Sequence, residues 1–336
     1  MASPFQFGVF IPVGPGLEEA ERLADLLDSL WHYEPLVPWV LLIDDDLSGR
    51  NLTSGISVPP CCNLVTIPHP RRGVGLGITG GLCSANLIAM DWFAQNTQVD
   101  FFIKLDTDAL VIRSFAPSLS RIFAGSQDAG LLGVIGRTCN PGSRLAGFYA
   151  DATLALSQAL YIANAAESGA QPFTAPLYID GVGTVSPQQV QGFVRLKVYM
   201  DKALTNGYPL GMYCQGGAYA VSATLISRMQ AQGYLESWRE WLDLPFPEDI
   251  MMGIHTYAVG LKIFSCANVG DVFAIQHTGL PYHPERLIKE GYSIIHSLKN
   301  DEVFSETELR KLFREQRKAA VKSLDRNISS KLVSVD

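Results

Sequence analysis

Along the first third of the chain, short apolar runs alternate with stretches of helical spacing. Phe5 to Ile11 is an apolar run closed by Pro12-Val13-Gly14-Pro15-Gly16, which predicts a buried strand ending in a loop. In the stretch from Leu17 to Leu30, Leu23, Leu26, Leu27 and Leu30 share one face of a helix. Trp39 to Ile43 reads as a second strand and stops at Asp44-Asp45-Asp46; Asn63 to Ile67 reads as a third. Leu82 to Gln95 has helical spacing, and Asp100 to Leu105 is a strand running into Asp106-Thr107-Asp108. This order predicts an α/β domain with a central, mostly parallel sheet flanked by helices. In such sheets ligands gather beyond the carboxyl ends of the strands, where all three loop or acidic signals fall.

The remainder is less regular. Strands are expected at Gly130 to Gly136, Gly217 to Ser222, Lys262 to Cys266 and Val272 to Gln276. Helices are expected near Leu154 to Ala165, Gln188 to Thr205 and Pro247 to Val259, with a Gly/Pro-rich loop from Ala170 to Pro187. The resulting division is a first half (1–115), a second half of the same domain (116–300), and a basic helical tail (301–336).

Composition narrows the function. The chain has 336 residues, 47% hydrophobic and 18% charged, which excludes a disordered protein. A net charge of −7 argues against a nucleic-acid partner. Its six cysteines contain no CxxC pair, so reduced thiols are expected. The start has no basic leader region, and the longest apolar runs fall far short of the ~20 residues of a membrane span. The expectation is a soluble, cytoplasmic protein. The tail runs against the overall charge: from Leu309 to Lys331 it carries Arg310, Lys311, Arg314, Arg317, Lys318, Lys322, Arg326 and Lys331 against Glu315 and Asp325. Two readings stay open. One is a solvated helix packing its Leu309, Leu312 and Phe313 side on the body; the other is a basic amphipathic helix touching the inner face of an anionic membrane.

Asp106 and Asp108 are the first candidates for chemistry. Two carboxylates at the end of an apolar strand are costly to bury without a cation. Mg²⁺ or Mn²⁺ would offset that cost and bridge to a diphosphate. Lys104 shares a face with Asp106 by the strand period of two.

Four segments then carry a resemblance. Lys104 to Val111 reads Lys-Leu-Asp-Thr-Asp-Ala-Leu-Val, with Trp92 upstream. Tyr208 to Ser222 includes Gln215-Gly216-Gly217; Pro247 to Gly253 reads Pro-Glu-Asp-Ile-Met-Met-Gly, and Gly260-Leu261-Lys262 follows. In this order, over roughly residues 85 to 300, they resemble the inverting β-1,3-glycosyltransferases of galactosyltransferase and Fringe type. The resemblance implies a GT-A fold, a nucleotide-sugar donor of UDP-sugar type, and a saccharide or glycoconjugate acceptor. Thr107 stands where relatives often carry a third acidic residue, and the donor sugar and linkage stay open.

Under that resemblance Asp108 holds the metal, with Asp106 ligating it directly or through water. Asp249, in the first turn of a helix started by Pro247, is the base for the acceptor hydroxyl, with Glu248 beside it on the substrate side. The third ligand is His296, with His277 second, and Lys299 faces the diphosphate. Pro12 and Val13, one of Asp44, Asp45 and Asp46, and Arg72 with its neighbour Arg71 are expected at the nucleotide. Gln215, Gly216 and Gly217 would wall the sugar site; one of Trp238 and Trp241 would stack on a sugar ring, and core packing is expected for at least one of the two. The rivals are a sugar nucleotidyltransferase and a non-catalytic sugar-nucleotide-binding protein. The first wants a basic residue in the loop after the first strand, where Pro12 to Gly16 has none. The second has no need of Asp106, Asp108 and Asp249 together.

Overall fold

The computed structural model describes residues 6–74, 80–135, 157–158, 160–169, 177–179, 183–242, 244, 247–268 and 270–333. The run Gly75-Leu76-Gly77 and most of the Gly/Pro-rich loop expected before Pro187 lie outside them.

The strands of the central sheet are β1 (Phe7–Val13), β2 (Trp39–Asp44), β3 (Asn63–Pro68), β4 (Phe101–Leu105), β6 (Ala129–Ile135), β9 (Cys214–Ser222) and β10 (Lys262–Ser265). They lie in the order β10-β6-β9-β4-β1-β2-β3. Every neighbouring pair is parallel except the two that involve β9. The fold is therefore mixed α/β with one antiparallel strand inside an otherwise parallel sheet. Strands from both expected halves share it.

The central strands are apolar on consecutive positions because both faces are covered. Val9, Ile11, Val40, Leu42, Phe101 and Ile103 pack against the Leu23, Leu26, Leu27 and Leu30 face of α1 (Glu18–Tyr33). Phe10, Leu41, Ile43 and Phe102 point the other way, onto Met90 and Phe93 of α2 (Gly80–Asn96). Gly8 is small because a Cβ there would meet the Phe93 ring at 2.3 Å. Beyond α3 (Ala116–Gly125) come α4 (Pro187–Thr205), α5 (Ala223–Ala231), the single turn α6 (Trp238–Trp241) and α7 (Glu248–Ala258). A capping box between Ser186 and Gln189 starts α4.

Three short strands build a second layer: β5 (Leu110–Val111), β11 (Phe273–Ile275) and β12 (Ile294–His296) form a sheet in the order β11-β12-β5. Among the described residues between β6 and β9, β7 (Leu177–Ile179) and β8 (Gly183–Val185) form a small antiparallel pair that precedes α4. After α8 (Pro284–Glu290), the tail forms α9 (Glu306–Val333). Leu309 and Phe313 of α9 are buried with Leu110, Ile295 and Leu298, while Leu312 stays exposed. The basic face is partly taken up by the body. Arg310 and Arg317 are buried on Asp25, at 3.0 and 2.7 Å, and Arg314 lies 3.4 Å from the same carboxylate. This is the packed-face reading. The expected membrane contact loses three of its cations to α1, and the side chains of Lys322, Arg326 and Lys331 lie outside the described residues. No helix among the described residues is long and apolar enough to cross a membrane.

His255, on α7, lies fully buried among the rings of Tyr199, Tyr234 and Trp241, with no hydrogen bond to either ring nitrogen. Burial pushes its pKa down to about 3. The unfolded chain takes up a proton near the ordinary histidine value, while the folded one does not. Stability from this residue is therefore full above that value and is lost as pH falls toward the folded pKa. At pH 5 the loss relative to pH 7 is about 2 kcal/mol. Urea titrations at the two pH values should show a smaller difference in His255→Phe than in wild type.

Candidate functional site

The parallel strands bring β1, β2 and β4 out at one edge of the sheet, and β9, being antiparallel, enters at that edge. Leu105 pairs with Ala218, so Gly216 and Gly217 lie beside the exit of β4. The turn Asp106 to Ala109 is closed by the Ala109 amide donating to the Asp106 carbonyl at 2.9 Å. Its ends are fixed by two further bonds: the Asp106 amide donates to Gly217 O at 3.0 Å, and the Leu298 amide to Asp108 O at 2.9 Å. The register of β12 on β5, Ile294 with Val111 and Ile295 with Leu110, then carries His296 to the turn.

Asp106, Asp108 and His296 each offer one ligand atom within 4.8 Å of the others. Each also has its other polar atom pinned. Lys104 Nζ lies 2.6 Å from Asp106 Oδ1, leaving Oδ2 toward His296 Nε2 at 3.9 Å. Ser297 Oγ donates to Asp108 Oδ2 at 2.6 Å, and Lys299 Nζ approaches the same oxygen at 3.3 Å. Asp108 Oδ1 remains, 3.2 Å from His296 Nε2. His296 Nδ1 lies 2.8 Å from the Gln276 carbonyl, which has only lone pairs, so this nitrogen donates and Nε2 carries the free pair. Two carboxylate oxygens and an imidazole nitrogen thus converge, a donor set that fits a divalent ion such as Mn²⁺ or Mg²⁺.

The charges respond accordingly. Burial pushes Asp106 above the usual carboxylate range, and Lys104 opposes this only in part. Asp108 is also buried, yet His296 and Lys299 hold it well below that range. Burial alone would lower His296, but Asp108 outweighs it and the net direction is up.

Lys104 extends the site toward α7. It is fully buried, lies 3.0 Å from Glu248 Oε1, and also donates to Gly216 O. Asp249 follows in the first turn of α7, partly exposed, with Oδ1 accepting the Ile250 amide at 2.9 Å. Burial, and then the neighbouring Glu248 carboxylate, push Asp249 well above the ordinary carboxylate range.

Other expected residues find different surroundings. Gly216 and Gly217 are small because protein packs there: a Cβ would meet a Glu248 oxygen at 2.8 Å and His296 Nδ1 at 2.2 Å, respectively. Gln215 is buried on β9 beside them. Trp241 lies in the core, stacked on Tyr199 and edge-on to His255, not on a cleft wall. Trp238 packs against the same core with the Arg239 guanidinium 4.3 Å from its ring centre. Their spacing placed both on the inner side of a one-turn helix.

At the nucleotide end, Val13 O accepts the Asp45 amide at 3.0 Å, and Pro12 has no N–H, so these backbone groups are engaged in the sheet edge. Asp45 is fully buried next to His69, 3.6 Å away, and accepts the Gly73 amide. Asp44 and Asp46 share Arg50, at 3.2 and 3.5 Å. Arg50 also donates to the Gly14 and Gly16 carbonyls, tying the β1 loop to the β2 exit. Arg72 is exposed on a left-handed backbone (φ 43°), and Arg71 is half-buried. His277 is exposed. Ser297 and Gln276 were missed in the sequence because each acts through a contact far along the chain, and Arg50 because the carbonyls it ties down, Gly16 and Gly14, lie 34 and 36 residues away. Lys104 was visible there as a lone charge in an apolar strand, but its second partner, Glu248, was not.

The fold and site together define a chain with an acidic–imidazole cluster at the carboxyl edge of an α/β sheet. No family model matches it, and no curated protein matches its sequence. Among solved structures, the galactosyltransferase LgtC with donor and acceptor sugar analogues is similar at a TM-score of 0.43 and 12% identity, over 94% of this chain and 96% of that one. The bifunctional glycosyltransferase WbbM gives 0.42 and 12%, over 90% of this chain and 47% of that one. Core-mannan synthase A from Aspergillus fumigatus, in a Mn/GDP form, gives 0.42 and 9%, over 78% and 73%. The chain thus spans about half the length of WbbM, at 47%.

Proposed function

We propose that the protein is a metal-dependent GT-A glycosyltransferase that moves a sugar from a nucleotide donor, of UDP-sugar type, to a hydroxyl of a saccharide or glycoconjugate, with inversion. The site carries this reading, not the structural likeness. Its supporting observation is the convergence of Asp106 Oδ2, Asp108 Oδ1 and His296 Nε2, each residue's other polar atom being held by the protein.

A bound divalent ion supplies a positive charge for the diphosphate as the sugar leaves. Lys299, more than half exposed and 3.3 Å from Asp108, would add a second charge to that leaving group. Asp249 takes the proton of the acceptor hydroxyl. Its raised pKa makes it a stronger base than an ordinary carboxylate, and Lys104 keeps neighbouring Glu248 ion-paired. The two glycines of β9 let His296 and Glu248 approach one strand from the same edge.

Thermal unfolding with and without Mn²⁺, in the presence of UDP, tests the reading. A ligand at a hundred times its Kd adds about 2.7 kcal/mol to the native state. The wild-type chain and His277→Ala should show a Mn²⁺-dependent rise in midpoint, and His296→Ala should lose it. A full rise in His296→Ala sinks the proposed ligand set.

A further inference from the structure

Five side chains form a closed ring of hydrogen bonds around the middle of the Asp106-Thr107-Asp108 turn. Thr107 Oγ1 donates to Glu19 Oε2. Arg22 Nη1 donates to Glu19 Oε1 at 2.9 Å, and its Nε and Nη2 donate to the Glu306 carboxylate at 2.8 and 2.6 Å. Arg310 Nε donates to Glu306 at 2.8 Å, and its Nη2 closes the ring on the Thr107 carbonyl at 3.2 Å. The remaining nitrogen, Nη1, donates to Asp25 at 3.0 Å. The ring joins α1, the turn and the tail helix α9. Thr107 and Arg310 are both buried, 5% and 8% exposed.

We propose that Glu19 and Arg310 are positioning residues for the divalent-ion site, acting through Thr107. This rests on the glycosyltransferase reading above. The bonds from Gly217 and Leu298 fix the ends of the turn. Among the described residues, the middle residue, Thr107, makes its hydrogen bonds within the ring, one through its side chain and one through its carbonyl. Without the ring, the two carboxylates keep their contacts to Lys104 and Ser297 but the peptide between them is unsupported, so a shift at Thr107 changes the separation of Asp106 Oδ2 and Asp108 Oδ1. Ion affinity depends on their separation, as supporting contacts commonly set the geometry of ligating groups. The tail helix thereby serves a site that it does not touch.

A plain docking role makes a different prediction. Arg317 fastens the same helix to Asp25 and Asp28, at 2.7 and 2.9 Å, without contacting the turn. The test is Mn²⁺ titration calorimetry on the full-length chain without nucleotide, alongside urea unfolding. The variants are Arg310→Lys, Glu19→Gln and Arg317→Gln. Arg310→Lys and Glu19→Gln should each weaken Mn²⁺ binding about tenfold, while Arg317→Gln lowers the unfolding midpoint and leaves affinity within about twofold. Unchanged affinity in folded Glu19→Gln and Arg310→Lys overturns the proposal and leaves the enzymatic reading standing. An equal loss in Arg317→Gln overturns it too, in favour of docking alone. A wild-type chain that binds no Mn²⁺ removes both.

Discussion

Asp249→Asn is expected to bind Mn²⁺ and a UDP-sugar as the wild-type chain does and to transfer the sugar about 10²–10⁴-fold more slowly. The amide keeps the shape of the carboxylate but cannot take a proton from the acceptor hydroxyl. The start of α7 should tolerate the change, because Asp249 is partly exposed and its Oδ1 accepts only the adjacent Ile250 amide among the bonds seen. The pH dependence gives the second signature. Burial and Glu248 raise the Asp249 pKa well above the ordinary range, so the proposed base would be protonated and idle at low pH. Turnover should climb as pH rises through that raised value, and Asp249→Asn should lose this limb. Steady-state transfer rates across pH, together with donor binding by calorimetry, check both points. Near-normal turnover in Asp249→Asn would remove the assigned base.

Lys104→Met is expected to destabilise the fold by about 3–5 kcal/mol, the usual cost of stripping one partner from a buried ion pair. The Lys104 ammonium lies between Asp106 and Glu248, at 2.6 and 3.0 Å, and is itself inaccessible. Burial alone would lower its pKa, but the two carboxylates outweigh burial and the net direction is up. It therefore stays charged wherever the protein is folded. Without it, the buried Glu248 carboxylate and the partly exposed Asp106 carboxylate both lose the charge that balances them. Adding Glu248→Gln to Lys104→Met removes one of those charges and should recover part of the loss, a coupling that a double-mutant cycle reads directly. Urea unfolding of the two single variants and the double variant measures it. Strict additivity would mean that the two groups do not share one charge balance.

Much of the architecture was legible in the chain. The runs at Phe7–Val13, Trp39–Asp44 and Phe101–Leu105 are apolar at consecutive positions because helices cover both faces of the sheet. The leucines of α1 fall on one side because only one side meets the sheet. Pro247 marked the start of α7 because a helix start depends on neighbours a few residues away. The Asp106 and Asp108 pair was visible for the same reason, since a strand period and a turn are short-range facts. Spacing says that Trp238 and Trp241 share a helix side, but only the structure says that Trp241 is buried in the core while Trp238 is half-buried against it.

Local pattern thus determined the sheet-and-helix class, the carboxylates at the strand end and the acidic start of α7. Tertiary structure alone decided which atoms meet. It set Gln276 behind His296, Glu248 on Lys104, and Arg310 on Thr107, pairs separated by tens to hundreds of residues. The physical reason is range. Backbone preference and hydrophobic period act over a few residues, whereas the balance of buried charge depends on which strands lie side by side and in which direction they run.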